Sequence, residues 1–283
     1  MFPTRFEYHR PTSVQEAVQL LSANPEAKAI AGGHSLLPAM KLRLAAPAAL
    51  VDLGRIEGLK KITTDGGVRI GAMTTYRELE DSAELSSALP IIAETANVVG
   101  DPAVRARGTL GGSLAHADPA ADFPAVFLAL GGSVTAVGSG GERTIAADEL
   151  FVDLLTTSLN PDEIITEISL PAQTGDVGMA YEKHAHPASG YAVVGVAVVL
   201  VKSGGTCQSA RVAVTGATSK ATRATASEAA ITGQSLSAEA IAAAADKAAD
   251  GLEINGDIYA SAEYRAHLVK VLTKRALTRA AGI

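Results

Sequence analysis

Two short loops in this chain have the residue types needed to hold an anion: Ala31-Gly32-Gly33-His34-Ser35 and Thr109-Leu110-Gly111-Gly112-Ser113. Adjacent glycines admit positive φ and let several backbone N–H groups converge with no Cβ in the way, as a phosphate requires. Neighbouring Ser and Thr hydroxyls add donors, and a side chain at Gly33 is expected to fill the space where backbone meets phosphate. A plain turn explains most single Gly-Gly pairs, but two such loops together favour the cradle. Neither loop follows the GxGxxG or GxxxxGK[ST] spacing, which disfavours a Rossmann site or a P-loop.

Other groupings carry less. His34 beside Ser35 has the types of a base and a nucleophile, and His116 near Asp118 those of a metal pair or a dyad, but sequence neighbours rarely face one another and no third member is signalled. Hydrolysis is therefore set aside. His184 and His186 lack the carboxylate or thiolate support of a metal site. Asp122 precedes the apolar run "FPAVFLAL", where its carboxylate suits a helix N-cap. A single cysteine, Cys207, can build neither a disulfide framework nor an iron–sulfur cluster.

The elements that must position these loops follow from periodicity. Ser13 with Glu16, or Thr12 with Gln15, forms a capping box ahead of helically spaced Val14, Val18 and Leu21. Buried strands are predicted at 27–31 and 49–53, with a short helix over 36–44. From about residue 57 the pattern shifts to shorter strands (68–73, 133–137, 163–170) and helices near 75–81 and 90–99, which reads as a second α+β lobe. "PAQTGD" at 171–176 punctuates the chain, and "SGG" at 203–205 between two apolar runs predicts a hairpin. Ala-rich helices close the chain, the last with a predicted buried stripe of Tyr264, Leu268, Val271, Leu272 and Leu277.

With 283 residues, 47% of them hydrophobic but only 4% aromatic and no Trp, the interior must be packed with small aliphatic side chains. A net charge of −6 leaves no basic footprint for nucleic acid. The charged N-terminus does not suit a signal peptide, and the longest apolar run, 192–201, is half a membrane span, so a cytoplasmic protein is expected.

Taken in order, "FEYHRPTSVQEAVQLLS", "AKAIAGGHSLLPAMKLRLAAPAALVDLGRI", "IGAMTT", "GTLGGSLAHADPAADFPAVFLALG" and "YEK…GYAVVGVAVVL" resemble the FAD-binding medium subunit of aerobic carbon monoxide dehydrogenase and related molybdenum hydroxylases, through nearly the whole chain. The resemblance implies an α+β fold. A two-lobed FAD-binding domain of the vanillyl-alcohol-oxidase (PCMH) type would occupy residues 1–174, with lobes 1–56 and 57–174, followed by a smaller α/β domain over 175–283 that ends in helices.

It further implies FAD as cofactor. Its pyrophosphate would be bracketed by Ala31, Gly32, Gly33, His34 and Ser35 and by Thr109, Leu110, Gly111, Gly112 and Ser113, chiefly through backbone N–H groups. Asp122 would lie near the sugar and ribityl hydroxyls, Ile165 and Lys183 beside the isoalloxazine, and Tyr191 over one flavin face. Read without the resemblance, Ile165 is strand core, Lys183 a solvated lysine and Tyr191 the first residue of a strand. The implied partners are a large molybdenum-cofactor subunit, a small [2Fe-2S] subunit and an external acceptor such as a quinone, in a dimer of heterotrimers that reaches the inner membrane face through the complex. Electron transfer needs no acid–base residue in this chain, so no catalytic residue and no metal ligand is expected. Oxidation of an aldehyde or N-heterocycle in the partner subunit is the alternative, and a docking module without turnover is the alternative of another class.

Overall fold

The structure, a computed structural model, describes residues 1–283. The first lobe runs β1 (Glu7–His9), α1 (Val14–Ala23), β2 (Ala27–Ile30), α2 (Leu36–Lys41) and β3 (Ala49–Asp52), and its strands pair in parallel in the order β1-β3-β2. Ser13 caps α1 by accepting from the Glu16 amide at 3.1 Å, while the Glu16 carboxylate reaches back one residue further, to the Thr12 amide at 2.9 Å. Ala17, Val18 and Leu21 then meet Val51 and Leu53 in a small core. Helix α2 stops at Lys41, short of the predicted Leu44, because Arg43 turns the chain with φ of 60°.

The second lobe begins with β4 (Ile62–Thr63) and β5 (Val68–Gly71). Six helices follow: α3 (Tyr76–Glu80), α4 (Ala83–Ala88), α5 (Pro90–Asn97), α6 (Pro102–Arg105), α7 (Leu110–His116) and α8 (Asp122–Leu130). The lobe closes with β6 (Ser133–Gly138), β7 (Gly141–Ala146), α9 (Ala147–Leu150), β8 (Phe151–Asp153), β9 (Thr156–Thr157) and β10 (Ile164–Leu170). Strands β4-β5-β10-β6-β7 form an antiparallel sheet in that order. Every residue of α8 is buried, because the helix lies between this lobe and the sheet that follows.

That third sheet is antiparallel: β11 (Asp176–Ala185), β12 (Ala192–Ser203), β13 (Thr206–Thr215) and β14 (Thr222–Arg223), with α10 (Thr225–Ile231), α11 (Ala238–Asp246) and α12 (Ala262–Ala281) on one face. The predicted hairpin joins β12 to β13 through Gly204 and Gly205, both at positive φ. Along β12, Val194, Val196, Val198 and Leu200 enter the core beneath the helices, whereas Ala197 and Val199 enter the core of the second lobe. A strand covered on both faces has no polar side to show, which explains the unbroken apolar run.

The buried stripe of α12 is rotated from the predicted one. Val269 and the small residues Thr273, Ala276 and Ala280 face inward with Leu268, Leu272 and Leu277, whereas Tyr264 is exposed and Val271 half-buried. Small residues win this face because the helix lies very close to β11: a Cβ at Gly178 would run into the Ala280 carbonyl. Arg265, only 8% exposed, ties α12 to the sheet by donating to the Val193 carbonyl at 2.9 Å and to the Gly216 carbonyl and Asp257 carboxylate. Arg265→Met leaves two buried carbonyls unpaired, each worth about 1–3 kcal/mol. Urea unfolding is expected to show a loss of about 2–3 kcal/mol.

Candidate functional site

A cleft of about 470 Å³ opens between the first lobe, the second lobe and the turn that leads into β12. Its mouth is the loop 31–35, which leaves β2 and enters α2. The amides of Gly32, Gly33, His34 and Ser35 donate to no group of the chain, so four consecutive N–H groups are free where the loop borders the cleft. Gly33 holds φ of 76°, and this backbone geometry is its requirement. A Cβ there would meet Leu37 Cδ1 at 2.9 Å and Ile30 Cδ1 at 3.3 Å, on the apolar side and not in the anion space expected from sequence. The tight position is Gly32, where a Cβ would strike the Arg107 carbonyl and lie 2.9 Å from Gly108 Cα. His34 turns its Nδ1 to its own loop, 3.1 Å from the Gly32 carbonyl.

The second loop is built differently. Thr109 caps α7, accepting from the Gly112 amide at 3.1 Å, and the Ser113 amide bonds the Thr109 carbonyl. The Leu110 and Gly111 amides donate to the carbonyls of Thr74 and Ala72 at 3.0 and 2.9 Å. Four of the loop's five N–H groups, those of Leu110 to Ser113, are therefore spent inside the protein and the Thr109 amide alone donates to no group of the chain, so this loop offers fewer backbone donors than expected. Thr109, Gly111, Gly112 and Ser113 line the cleft, but Leu110 points into the core. Glycine at 111 is what lets α7 lie against the strand end, since a Cβ would come within 2.5 Å of that of Ala72.

Asp122 lies at the cleft wall and is 5% exposed. It is the first residue of α8, with Ala121 at the cap position and no side-chain cap bond, so the N-cap alternative does not hold. Its carboxylate instead receives the Tyr181 hydroxyl at 2.5 Å, and Lys183 Nζ lies 2.9 and 3.0 Å from its two oxygens. Burial pushes this carboxyl's pKa up, while Lys183 and then Tyr181 oppose that rise. Lys183 also donates to the Val98 carbonyl at 3.0 Å and its side chain is 6% exposed. It is thus not a solvated lysine, and it stands behind Asp122 without lining the cleft itself.

Ile165 lines the cleft beside a β-bulge in β10, where the pairing with β6 shifts between Ile165 and Glu167. Tyr191 sits one residue before β12, 41% exposed, and faces Ser35 across the cleft. Burial of its phenol raises the pKa, and the Ser35 hydroxyl pulls it down. His184 and His186 pack their rings against Tyr264 and Tyr259. Cys207 is remote, in the core beneath the C-terminal helices, and burial raises its thiol pKa.

Sequence reasoning passed over Tyr76 and Tyr181. Tyr76 stacks on Phe123 at 5.2 Å with the rings 9° from parallel, and its ring fills the place a Cβ at Gly108 would take. Tyr181 had a signal: it lies two residues before Lys183, so in a strand both side chains project to the same face.

Residues 4–173 match the family described as FAD binding domain in molybdopterin dehydrogenase, and residues 179–280 match the CO dehydrogenase flavoprotein C-terminal domain. The chain belongs to the molybdopterin dehydrogenase FAD-binding family. Its cofactor is FAD and its class is oxidoreductase. It is 42% identical to the carbon monoxide dehydrogenase medium chain of Hydrogenophaga pseudoflava, over 99% of this chain and 98% of that one. It is 41% identical to the nicotine 6-hydroxylase medium subunit of Paenarthrobacter nicotinovorans, over 96% of each. A solved structure of the H. pseudoflava carbon monoxide dehydrogenase superposes with a TM-score of 0.97 at 43% identity, covering 100% of this chain and 99% of the matched chain.

Proposed function

We propose that this subunit is the flavoprotein of a carbon monoxide dehydrogenase, working beside a large molybdenum-cofactor subunit and a small [2Fe-2S] subunit in a dimer of heterotrimers. The observation that carries the site is the row of free amides at Gly32, Gly33, His34 and Ser35 on the cleft mouth. Four consecutive free N–H donors with no carboxylate among them fit a pyrophosphate. Thr109 and Ser113 would add hydroxyls from the opposite wall, with Gly111 and Gly112 shaping the backbone there. Asp122 would accept from the ribityl and sugar hydroxyls, Ile165 would give the ring an apolar wall, and Tyr191 would cover it. Lys183 acts through Asp122.

When bound, FAD supplies a two-electron store that takes electrons from the iron–sulfur clusters and yields them to an external acceptor such as a quinone. The chain's own task is to bind and orient it. Oxidation of an N-heterocycle is the second reading, favoured by the 41% identity to the nicotine 6-hydroxylase medium subunit. No helix is long and apolar enough to cross a membrane; we place the complex in the cytoplasm, reaching the inner membrane face through its partners.

The test is the flavin absorbance of the purified complex. Carbon monoxide is expected to bleach it anaerobically, and bleaching by a heterocycle or an aldehyde alone would move the assignment to that substrate. A flavin that stays oxidised while the other centres are reduced would leave a docking module and overturn the electron-transfer role.

A further inference from the structure

Asp122 lines the cleft from the first turn of α8, yet no side chain of the FAD-binding domain bonds its carboxylate. Its partners come from β11 of the C-terminal sheet: Tyr181 donates to Oδ1 at 2.5 Å, and Lys183 bridges both oxygens. The same sheet fixes the backbone just ahead of it. Thr215 Oγ1 lies 2.7 Å from the carbonyls of Pro119 and Ala121, the Gly216 amide donates to Pro119 at 2.6 Å, and the Ala192 amide donates to Ala120 at 3.2 Å. Behind β11, Arg279 of α12 donates to the Tyr181 carbonyl at 3.1 Å.

The sheet also makes room for the Tyr181 hydroxyl. Gly195 interrupts the Val-rich run of β12, a place where glycine weakens a strand. A Cβ at Gly195 would run into the Tyr181 hydroxyl and lie 2.8 Å from the Thr215 methyl. Glycine therefore keeps open the corridor through which the phenol reaches Asp122.

We propose that Tyr181 is a positioning residue for the flavin site: from the C-terminal sheet, and with the space left by Gly195, it holds the Asp122 carboxylate in its hydrogen-accepting form toward the cleft. This rests on the reading of Asp122 as the acceptor for FAD hydroxyls. The chemistry supports it in three ways. A carboxylate offers about four lone-pair directions, so the contacts from Tyr181 and Lys183 leave acceptor capacity for a ligand. A protonated acid in its place presents an O–H to the same hydroxyls and loses its attraction to Lys183. Tyr181 is also a permanent donor, since burial and the neighbouring Asp122 hold its hydroxyl protonated well beyond the ordinary range.

The charged surroundings of Asp122 are few. Lys183 is the cation against it; Tyr76 of α3 and Tyr191 ahead of β12 sense its charge as neutral phenols, and His116 and Asp118 line the same cleft on the chain leading into α8. Loss of the Tyr181 hydroxyl removes an influence that lowers the Asp122 pKa. The carboxyl then takes up its proton at a higher pH.

The experiment measures FAD dissociation from the full chain against pH, for the native protein, Tyr181→Phe and Gly195→Ala. In both variants the pH below which FAD is released is expected to move up, with affinity at neutral pH about tenfold weaker, the scale of one lost charge-assisted hydrogen bond. An infrared titration of the FAD-free proteins reads the carboxyl directly. The band of a protonated carboxyl is expected to appear at higher pH in Tyr181→Phe, and to be missing from that variant when Asp122→Asn is added.

Unchanged pH midpoints in both measurements for Tyr181→Phe would overturn the positioning role. Should Tyr181→Phe fail to fold, Gly195→Ala decides, because it displaces the phenol without removing any group of the network. The two readings fail separately. If Asp122→Asn binds FAD normally, Asp122 is no cofactor ligand, while the infrared shift still tests whether Tyr181 governs its charge.

Discussion

Gly32→Val is expected to leave a folded chain that retains almost no FAD. The Cβ would strike the Arg107 carbonyl and crowd Gly108 Cα, and backbone atoms cannot swing aside as a side-chain tip does. The two loops must separate, which displaces the free amides of 32–35 from one wall of the cleft and Thr109 from the other. Losing the joint geometry of several charge-assisted bonds corresponds to about 3–4 kcal/mol, or two to three decades of affinity. The ratio of flavin to protein absorbance after gel filtration measures it, with circular dichroism as the folding control. Gly33→Ala sets the comparison: its φ of 76° imposes about 1–2 kcal/mol of strain, but its Cβ meets flexible Leu37 and Ile30 side chains. A variant at Gly32 that keeps its flavin, or one at Gly33 that loses more, would remove the loop contact as the reason for the glycine.

The contrast between these two glycines shows what the sequence can and cannot convey. That the loop 31–35 needs glycine was legible, because a Gly-Gly pair between a strand and a helix marks a tight turn or an anion cradle, and both call for positive φ or close backbone approach. Which glycine faces backbone and which faces side chains depends on where residues 107–108 arrive, and that is a long-range fact. The same limit explains the second loop. Its amides looked as available as those of the first, but Gly112 and Ser113 turn theirs back on Thr109, and Leu110 and Gly111 donate to the carbonyls of Thr74 and Ala72, in a segment nearly forty residues earlier.

Local signals did better where local physics decides the outcome. The α1 cap, the β12–β13 hairpin and the major strands follow from capping chemistry, positive-φ glycines and apolar runs. The α12 stripe held at Leu268, Leu272 and Leu277 but not at Tyr264 and Val271, because close packing against Gly178 selects small residues over the large ones that periodicity favours. For Asp122 the local reading, a helix N-cap, does not hold, and its carboxylate takes partners about sixty residues away.

Those partners make Lys183→Met the substitution with the largest expected effect on stability. Asp122 and Lys183 are 5% and 6% exposed, so solvent screens them little. Removing one member of such a pair leaves a buried charge uncompensated, at a cost of about 3–5 kcal/mol. The loss should depend on pH. Burial raises the folded-state pKa of Asp122, and the leading influence against that rise is Lys183. Without the lysine, the folded chain keeps a proton on Asp122 that the unfolded chain releases near the ordinary carboxylate pKa of about 4. The folded state then binds more protons than the unfolded state, so stability falls as pH rises from about 4 toward the raised value and levels off above it. Urea unfolding of Lys183→Met at a series of pH values is expected to show the full loss at pH 8 and a partial recovery on acidification. The double variant Asp122→Asn/Lys183→Met removes both charges and should be more stable than the single one at pH 8, with the acid recovery abolished. A single variant that loses less than about 1 kcal/mol, the range of an exposed pair, with no slope against pH, would mean that water reaches Asp122 and that its charge does not depend on the C-terminal sheet.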